Sequence, residues 1–271
     1  MMRIFLYFCR KNMTAMNLSF QELKDFLDEK YRQYDTPEFI SSDPVQIPHL
    51  FSQREDIEIS GFLSSLIAWG RREMIIKNAK KMIEITGNSP YNFIMNFDEK
   101  AADKIPNFVH RTFQHADFLY TLAALKNIYQ NHGGLKTVFE NAFKKSQNIK
   151  DTLIEFRKVF FECDFPLRTQ KHIADVERGA AGKRLNMYLM WLCRKDLGGV
   201  HFGLWDIPSS ALMLPLDTHT ANTGRKLGFI TRRQNDWKTV EEITSALRKF
   251  DADDPVKYDF ALFGLGIFDK F

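Results

Sequence analysis

Apolar residues recur at helical spacing along nearly the whole chain, and no stretch alternates apolar and polar positions for long enough to read as a strand. Ser19 with Glu22 forms a capping box ahead of Leu23, Phe26 and Leu27, which share one helix face. Ile59, Phe62, Leu63, Leu66 and Ile67 follow the spacing of a helix packed on one side. Apolar content resumes after Gly70 at Met74, Ile75 and Ile76, which predicts one long or kinked helix running to about Ile85 and broken by Gly87 to Pro90. Further helices are predicted from about Asp117 to Gln130, stopped by Gly133-Gly134, then from Leu135 to Phe143 and from Asp151 to Phe161. Leu185, Tyr188, Leu189 and Leu192 mark a helix that begins near Lys183 and ends before Gly198-Gly199. Met187, Met190 and Trp191 make its other sides apolar, so it is expected to be deeply buried. A second capping box, Thr239 with Glu242, and an Asp254-Pro255 start predict the last two helices. The final "YDFALFGLGIF" is apolar enough that it must dock. The predicted fold class is all-α, with two helical lobes sharing an interface and no internal repeat or low-complexity linker.

Composition agrees with this and narrows the setting. The 271 residues are 44% hydrophobic and 14% aromatic, with 25 Phe, which is ample core material for one large domain. Residues 17–271 are therefore read as a single two-lobed domain. Residues 1–16 are read as an extra N-terminal segment, with Met13 or Met16 as the natural start. The apolar run from Ile4 to Cys9 is too short to span a membrane and lacks a small-residue cleavage pattern. Three widely spaced cysteines, Cys9, Cys163 and Cys193, argue against a disulfide framework and against a cysteine-only zinc or iron-sulfur site. A cytoplasmic monomer without a membrane segment is the expectation. The 38 Lys and Arg only slightly exceed the 34 Asp and Glu, so any polyanion-binding face must come from clustering.

Two segments carry candidate chemistry. In "LPLDTHTANTGRKLGF", Asp217 follows an apolar Leu-Pro-Leu lead-in and precedes helix-compatible residues up to Gly228, so its carboxylate can accept first-turn amides. A carboxylate held there stays charged and can stabilise a cation brought near it. By itself, such a residue is more often only a helix cap. In "ERGAAGKRLNMYLMWLCR", Gly179, two alanines and Gly182 form a small-residue turn that delivers Lys183 to the start of the buried helix. A partly desolvated amine there is a candidate nucleophile, and the small residues let a phosphate approach amides at a helix start. Arg184 or Lys171 is the alternative occupant of the basic position.

The glycine-bearing turn, the lysine opening a buried helix and the later apolar-Asp-Thr-His segment resemble the helix-hairpin-helix DNA glycosylases, the superfamily of endonuclease III and the 8-oxoguanine glycosylases. "GKRLNMYLMWLCR", "FGLW", "PLDTH" and "DPVKYDFALFGLGI" are also similar to a bacterial family of conserved hypothetical proteins placed near that superfamily. The resemblance runs from about Asp43 to Phe271. It implies a DNA base-excision glycosylase with AP lyase activity, acting on double-stranded DNA with a damaged base, for which an oxidised purine is the expected lesion. It further implies that Lys183 attacks the sugar C1′ and that Asp217 stabilises the oxocarbenium-like sugar and helps deprotonate Lys183. The target nucleotide would be extruded from the duplex. The chain departs from the superfamily in two places. "VERGAAGK" replaces the usual hairpin signature, and Lys183 and Asp217 stand 34 residues apart, leaving an inserted "DLGGVHFGLWDIPSS" as base-pocket material. The four C-terminal cysteines of endonuclease III are missing, so no iron-sulfur cluster is expected.

Within and beside that insert, His201, Phe202, Trp205 and His219 are candidate base-pocket residues, and Asp206 is a further candidate for reading a base edge. Core packing is the commoner fate for each aromatic. Asp217 and His219 make only an Asp-x-His pair, too weak a signal for metal, so neither metal nor cofactor is expected. Gly179, Gly182, Arg184, Arg71 and Arg225 are candidate nucleic-acid contacts, and Arg71, Lys183, Arg225 and Arg232 would track phosphates if they faced one cleft. The rival reading is a non-catalytic nucleic-acid-binding protein that retains the fold.

Overall fold

A computed structural model describes residues 18–196 and 198–267. Among the described residues the chain is all-α, with β-type pairing confined to isolated bridges between His110 and Phe113 and between Ala180 and Asp236. Residues 1–16, read as an extension, lie outside the described residues. The helices are α1 (Phe20–Tyr34), α2 (Pro37–Ser42), α3 (Arg54–Leu66), α4 (Arg72–Ile85), α5 (Pro90–Met95), α6 (Glu99–Lys104) and α7 (His115–Asn131). They continue as α8 (Leu135–Ser146), α9 (Ile149–Phe160), α10 (Lys183–Cys193), α11 (Thr218–Lys226), α12 (Trp237–Arg248) and α13 (Tyr258–Ile267). No described helix is long and apolar enough to cross a membrane.

The local rules behind several helices are visible in their caps. Ser19 and Glu22 close the expected capping box on α1, with the Ser19 amide donating to the Glu22 carboxylate at 2.8 Å. The single helix expected from Ile59 to Ile85 is instead two, α3 and α4. Gly70 adopts φ +102°, a left-handed turn that L side chains rarely accept, and a Cβ there would meet the Arg111 guanidinium at 2.8 Å. Apolar periodicity runs on both sides of that turn, so the pattern alone reads straight through it. Nor is α3 one-sided, since every residue from Asp56 to Leu66 is buried. Its serines survive there by bonding to their own helix, Ser64 Oγ donating to the Ser60 carbonyl at 2.7 Å and Ser65 Oγ to Phe62 at 2.8 Å.

The expected Thr239–Glu242 box is also corrected. Asp236 caps α12, accepting from the Thr239 amide at 3.0 Å, while Glu242 accepts the Thr231 amide at 2.8 Å and ties down the preceding loop. Asp254 and Pro255 open a 3-10 turn, Pro255–Lys257, that leads into α13.

Packing gathers the helices into two groups around a continuous core. In one, α3, α7, α8, α9 and α10 enclose an aromatic cluster of Phe62, Phe139, Phe156, Phe160 and Tyr188. In the other, α13 lies against α1 and α11, and the Tyr258 hydroxyl donates to Asp28 at 2.9 Å. The buried α10 runs between them, as its all-round apolar sequence requires: every residue from Leu185 to Cys193 is buried.

Arg194, just past the end of α10, ties the groups together. It is fully buried, donating through Nε to Asp254 at 2.8 Å, through Nη1 to Asp196 at 3.2 Å and through Nη2 to the Tyr31 hydroxyl at 2.8 Å. Asp35 lies 3.7 Å from the same guanidinium. Burial raises the Asp35 pKa. Burial also opposes the Asp196 charge, but His201 and Arg194 together hold that carboxyl below its ordinary value. Replacing Arg194 with Met leaves Asp196 and Asp254 without their cation, so the variant is expected to lose about 3–5 kcal/mol of stability in urea unfolding. A loss under about 1 kcal/mol would show the network to be dispensable.

Candidate active-site cleft

A cleft of about 840 Å³ opens where the N-terminal end of α10 meets the α3–α4 turn, the start of α11 and the first turns of α13. Lys183 and Asp217, 34 residues apart in sequence, both line it.

Lys183 is placed there by its predecessor. Gly182 caps α10 at φ +65°, and a Cβ on it would meet Val176 at 3.0 Å and Trp237 at 3.6 Å, so the turn is both left-handed and tightly packed. From this turn Lys183 projects into the cleft, with Nζ 3.4 Å from the Ala68 carbonyl. Asp217 caps α11 as its sequence context predicts, Oδ1 accepting from the Thr220 amide at 2.9 Å. Among the described residues Oδ2 carries no hydrogen bond, so one oxygen is fixed and the other is left for the cleft.

Three residues that the sequence does not single out as site candidates complete the polar lining. Asp43 caps the 3-10 turn Pro44–Gln46, accepting from the Val45 amide at 3.0 Å. Burial raises its pKa, opposed by that amide and by Arg72 and Lys183. Asp259, in the first turn of α13, is raised to about 8, first by burial and then by the Asp217 charge, with Lys183 pulling the other way. Arg72 opens α4 and lies 4.9 Å from the Phe263 ring centre. Trp69, Phe39, Phe260 and Phe263 supply aromatic wall. Asp259 does leave a sequence signal, being the one charged residue in the otherwise apolar "YDFALFGLGIF". Trp69 and Asp43 leave none beyond their type.

Several candidates occupy other places. Trp205 is buried in the core, its Nε1 donating to Glu58 at 3.0 Å and its ring stacked on Phe139. Phe202 packs on His49 with ring centres 4.4 Å apart and does not line the cleft. Neither presents a face to a base there. Asp206 sits outside as well, paired with Lys136 at 3.2 Å. His201 backs the cleft, but its Nδ1 lies 2.8 Å from Asp196 and 3.0 Å from Arg194, and burial lowers its pKa, so the ring is neutral and engaged. His219 is exposed on α11 at the cleft edge.

The arginines separate in the same way. Arg184 lines the cleft, yet Nη1 donates to the Leu66 carbonyl at the end of α3 and the guanidinium covers the Trp69 ring at 4.8 Å. Burial lowers its pKa to about 10, still leaving it charged at neutral pH, where it suits the negative end of α3. Arg225 is spent on its own loop, donating to the Arg232 carbonyl at 2.8 Å and to Asn235 at 2.6 Å. Arg232 pairs with Asp236 at 2.6 Å. Arg71 is exposed but outside the cleft. Gly179, at φ +95°, has open space beside its Cα, and its carbonyl accepts from the Trp237 amide at 2.9 Å. Of the four residues expected to track phosphates, only Lys183 lines the cleft, while Arg225 and Arg232 hold their own loop. Among the described residues no group of three or more His, Cys, Asp or Glu is placed to hold a metal ion.

Over residues 43–268 the chain matches a family described as a protein of unknown function, DUF2400. No curated protein and no solved structure matches it.

Proposed function

The chain belongs to the DUF2400 family, and we propose that it is a DNA base-excision glycosylase with AP lyase activity, Lys183 acting as nucleophile and Asp217 as its carboxylate partner. The observation that supports this reading is the convergence of the Lys183 amine and the Asp217 carboxylate on one cleft from helices far apart in sequence. An amine and a carboxylate must act on one sugar, so sharing a cavity is the minimum the chemistry demands. The resemblance of the glycine turn and the "PLDTH" segment to helix-hairpin-helix glycosylases supplies the reaction class.

In this reading a nucleotide flips out of the duplex into the cleft and packs against the part of its aromatic wall that Phe39 and Phe263 supply. The Lys183 amine bonds to C1′ as the glycosidic C–N bond breaks, its surplus proton passing to Asp217. The C1′–O4′ bond of this adduct then opens, its electron pair and a proton going to O4′, and the Schiff base so formed permits β-elimination of the 3′ phosphate. Asp217, fixed by the Thr220 amide, also offsets the positive charge that develops on the sugar. An oxidised purine remains the expected lesion.

The test is incubation with duplex oligonucleotides bearing an oxidised purine, other damaged bases or an abasic site, in the presence of borohydride. A covalent protein–DNA adduct is expected on the abasic strand and on at least one lesion. Absence of excision and of an adduct on every substrate would overturn the reading, and salt-sensitive DNA binding in that case would favour the non-catalytic alternative.

A further inference from the structure

Base excision needs an acid as well as a nucleophile, because the base leaves with the electron pair of the broken C–N bond. We propose that Asp259 is that acid, the group that gives a proton to the departing base. The assignment rests on the reading of the cleft as a glycosylase site.

The position is built for the role. Asp259 projects from the first turn of α13 between buried Tyr258 and Phe260, is itself only half-buried, and lines the cleft with Lys183 and Asp217. Among the described residues no hydrogen bond reaches its carboxyl, which leaves the group free for a ligand. The charges around it come from every neighbouring element. Asp217 and His219 belong to α11, Lys183 to α10, Asp43 and Arg72 to the opposite wall, and Arg194 lies behind with His201. On the α1 side, Lys257 is held by Asp28 and Asp251 and Tyr258 by Asp28, so those groups are already paired. Burial and the two carboxylates outweigh Lys183 and Arg194, and the pKa of about 8 leaves the proton in place at neutral pH. A carboxyl that keeps its proton, beside a second carboxyl placed to receive one from Lys183, divides acid work from base work.

The step balances. The Lys183 nitrogen pair forms the new bond to C1′, the C–N pair goes to the base nitrogen, and that nitrogen takes the Asp259 proton. Asp217 receives the proton lost by Lys183, and solvent restores Asp259 after product leaves.

The test compares Asp259→Asn with wild type on a lesion duplex and on an abasic duplex, across pH. Excision by wild type is expected to fall as pH rises through about 8, where the acid is lost. The variant is expected to excise about 100-fold more slowly without that alkaline limb. Incision at the abasic site, which has no base to expel, is expected to fall at least about tenfold less than excision. Thermal unfolding supplies a readout free of substrate. A carboxyl raised in the folded state loses stability as pH climbs from its unfolded value toward the folded one, so wild type should weaken against the variant from about pH 4 to about pH 8. Equal loss of both reactions, or unchanged excision with its alkaline limb intact, would overturn the assignment of Asp259 while leaving the glycosylase reading standing. If wild type neither excises nor forms an adduct, the reading of the cleft falls and the acid assignment falls with it.

Discussion

Lys183→Ala is expected to abolish the borohydride-trapped adduct and to lower strand incision at abasic sites by about 10³-fold or more, with the fold intact. The chemistry sets the size of the effect, because no Schiff base forms without the amine and every later step passes through it. The structure sets the small stability cost. Lys183 is the first residue of α10, where alanine is an excellent helix former, and its hydrogen bond to the Ala68 carbonyl is a long one, 3.4 Å. Losing that contact is worth about 1 kcal/mol at most, a melting shift of a few degrees for a chain of this size. An adduct that persists in the variant would move the nucleophile elsewhere and break the proposal. The alternatives raised by the sequence are poor replacements. Arg184 has no nucleophilic amine and is clamped between the Leu66 carbonyl and Trp69, while Lys171 is exposed and outside the cleft.

How far the sequence could be read depended on whether the deciding contact was local. The burial of α10 was legible because apolar residues on every side of one helix leave it nowhere else to go. Asp217 was legible as a cap because its partner, the Thr220 amide, is three residues away. The α3–α4 break was hidden because a single left-handed glycine does not disturb the hydrophobic period around it. At α12, Asp236 with Thr239 and Thr239 with Glu242 are overlapping signals at the same spacing. The choice fell to Asp236 because Glu242 was engaged by Thr231. The site shows the same division. Lys183 and Asp217 stood out through neighbouring residues, whereas Asp43, Trp69 and Asp259 reach the cleft from three separate segments. Phe202 and Trp205 lie between Lys183 and Asp217 in sequence, which does not bring them to the cleft in space. Trp205 was instead drawn into the core by Glu58 and Phe139. The phosphate track failed for a related reason: a guanidinium that finds carbonyls in its own loop, as Arg225 does, is no longer available outside it.

Asp217→Asn divides the two roles of this residue, since asparagine caps a helix about as well as aspartate does. The Thr220 amide should keep its acceptor, so the variant is expected to unfold within about 0.5 kcal/mol of wild type. Asp217→Ala, which lacks the acceptor, should lose about 1 kcal/mol. Activity is expected to follow charge rather than capping. Both variants lose the anion that takes the Lys183 proton and offsets charge on the sugar, and excision should fall about 10³-fold in each. The neighbouring acid reports on the same change. The Asp217 charge helps to hold the Asp259 carboxyl protonated, so neutralising it lets Asp259 ionise at lower pH. The alkaline limb of the residual excision should therefore move to lower pH in Asp217→Asn, a shift that no capping role would produce. Should Asp217→Asn instead excise like wild type while Asp217→Ala merely melts earlier, Asp217 is only the cap of α11. If salt-sensitive DNA binding persisted in that case, the chain would fit the non-catalytic, nucleic-acid-binding reading better than the enzymatic one.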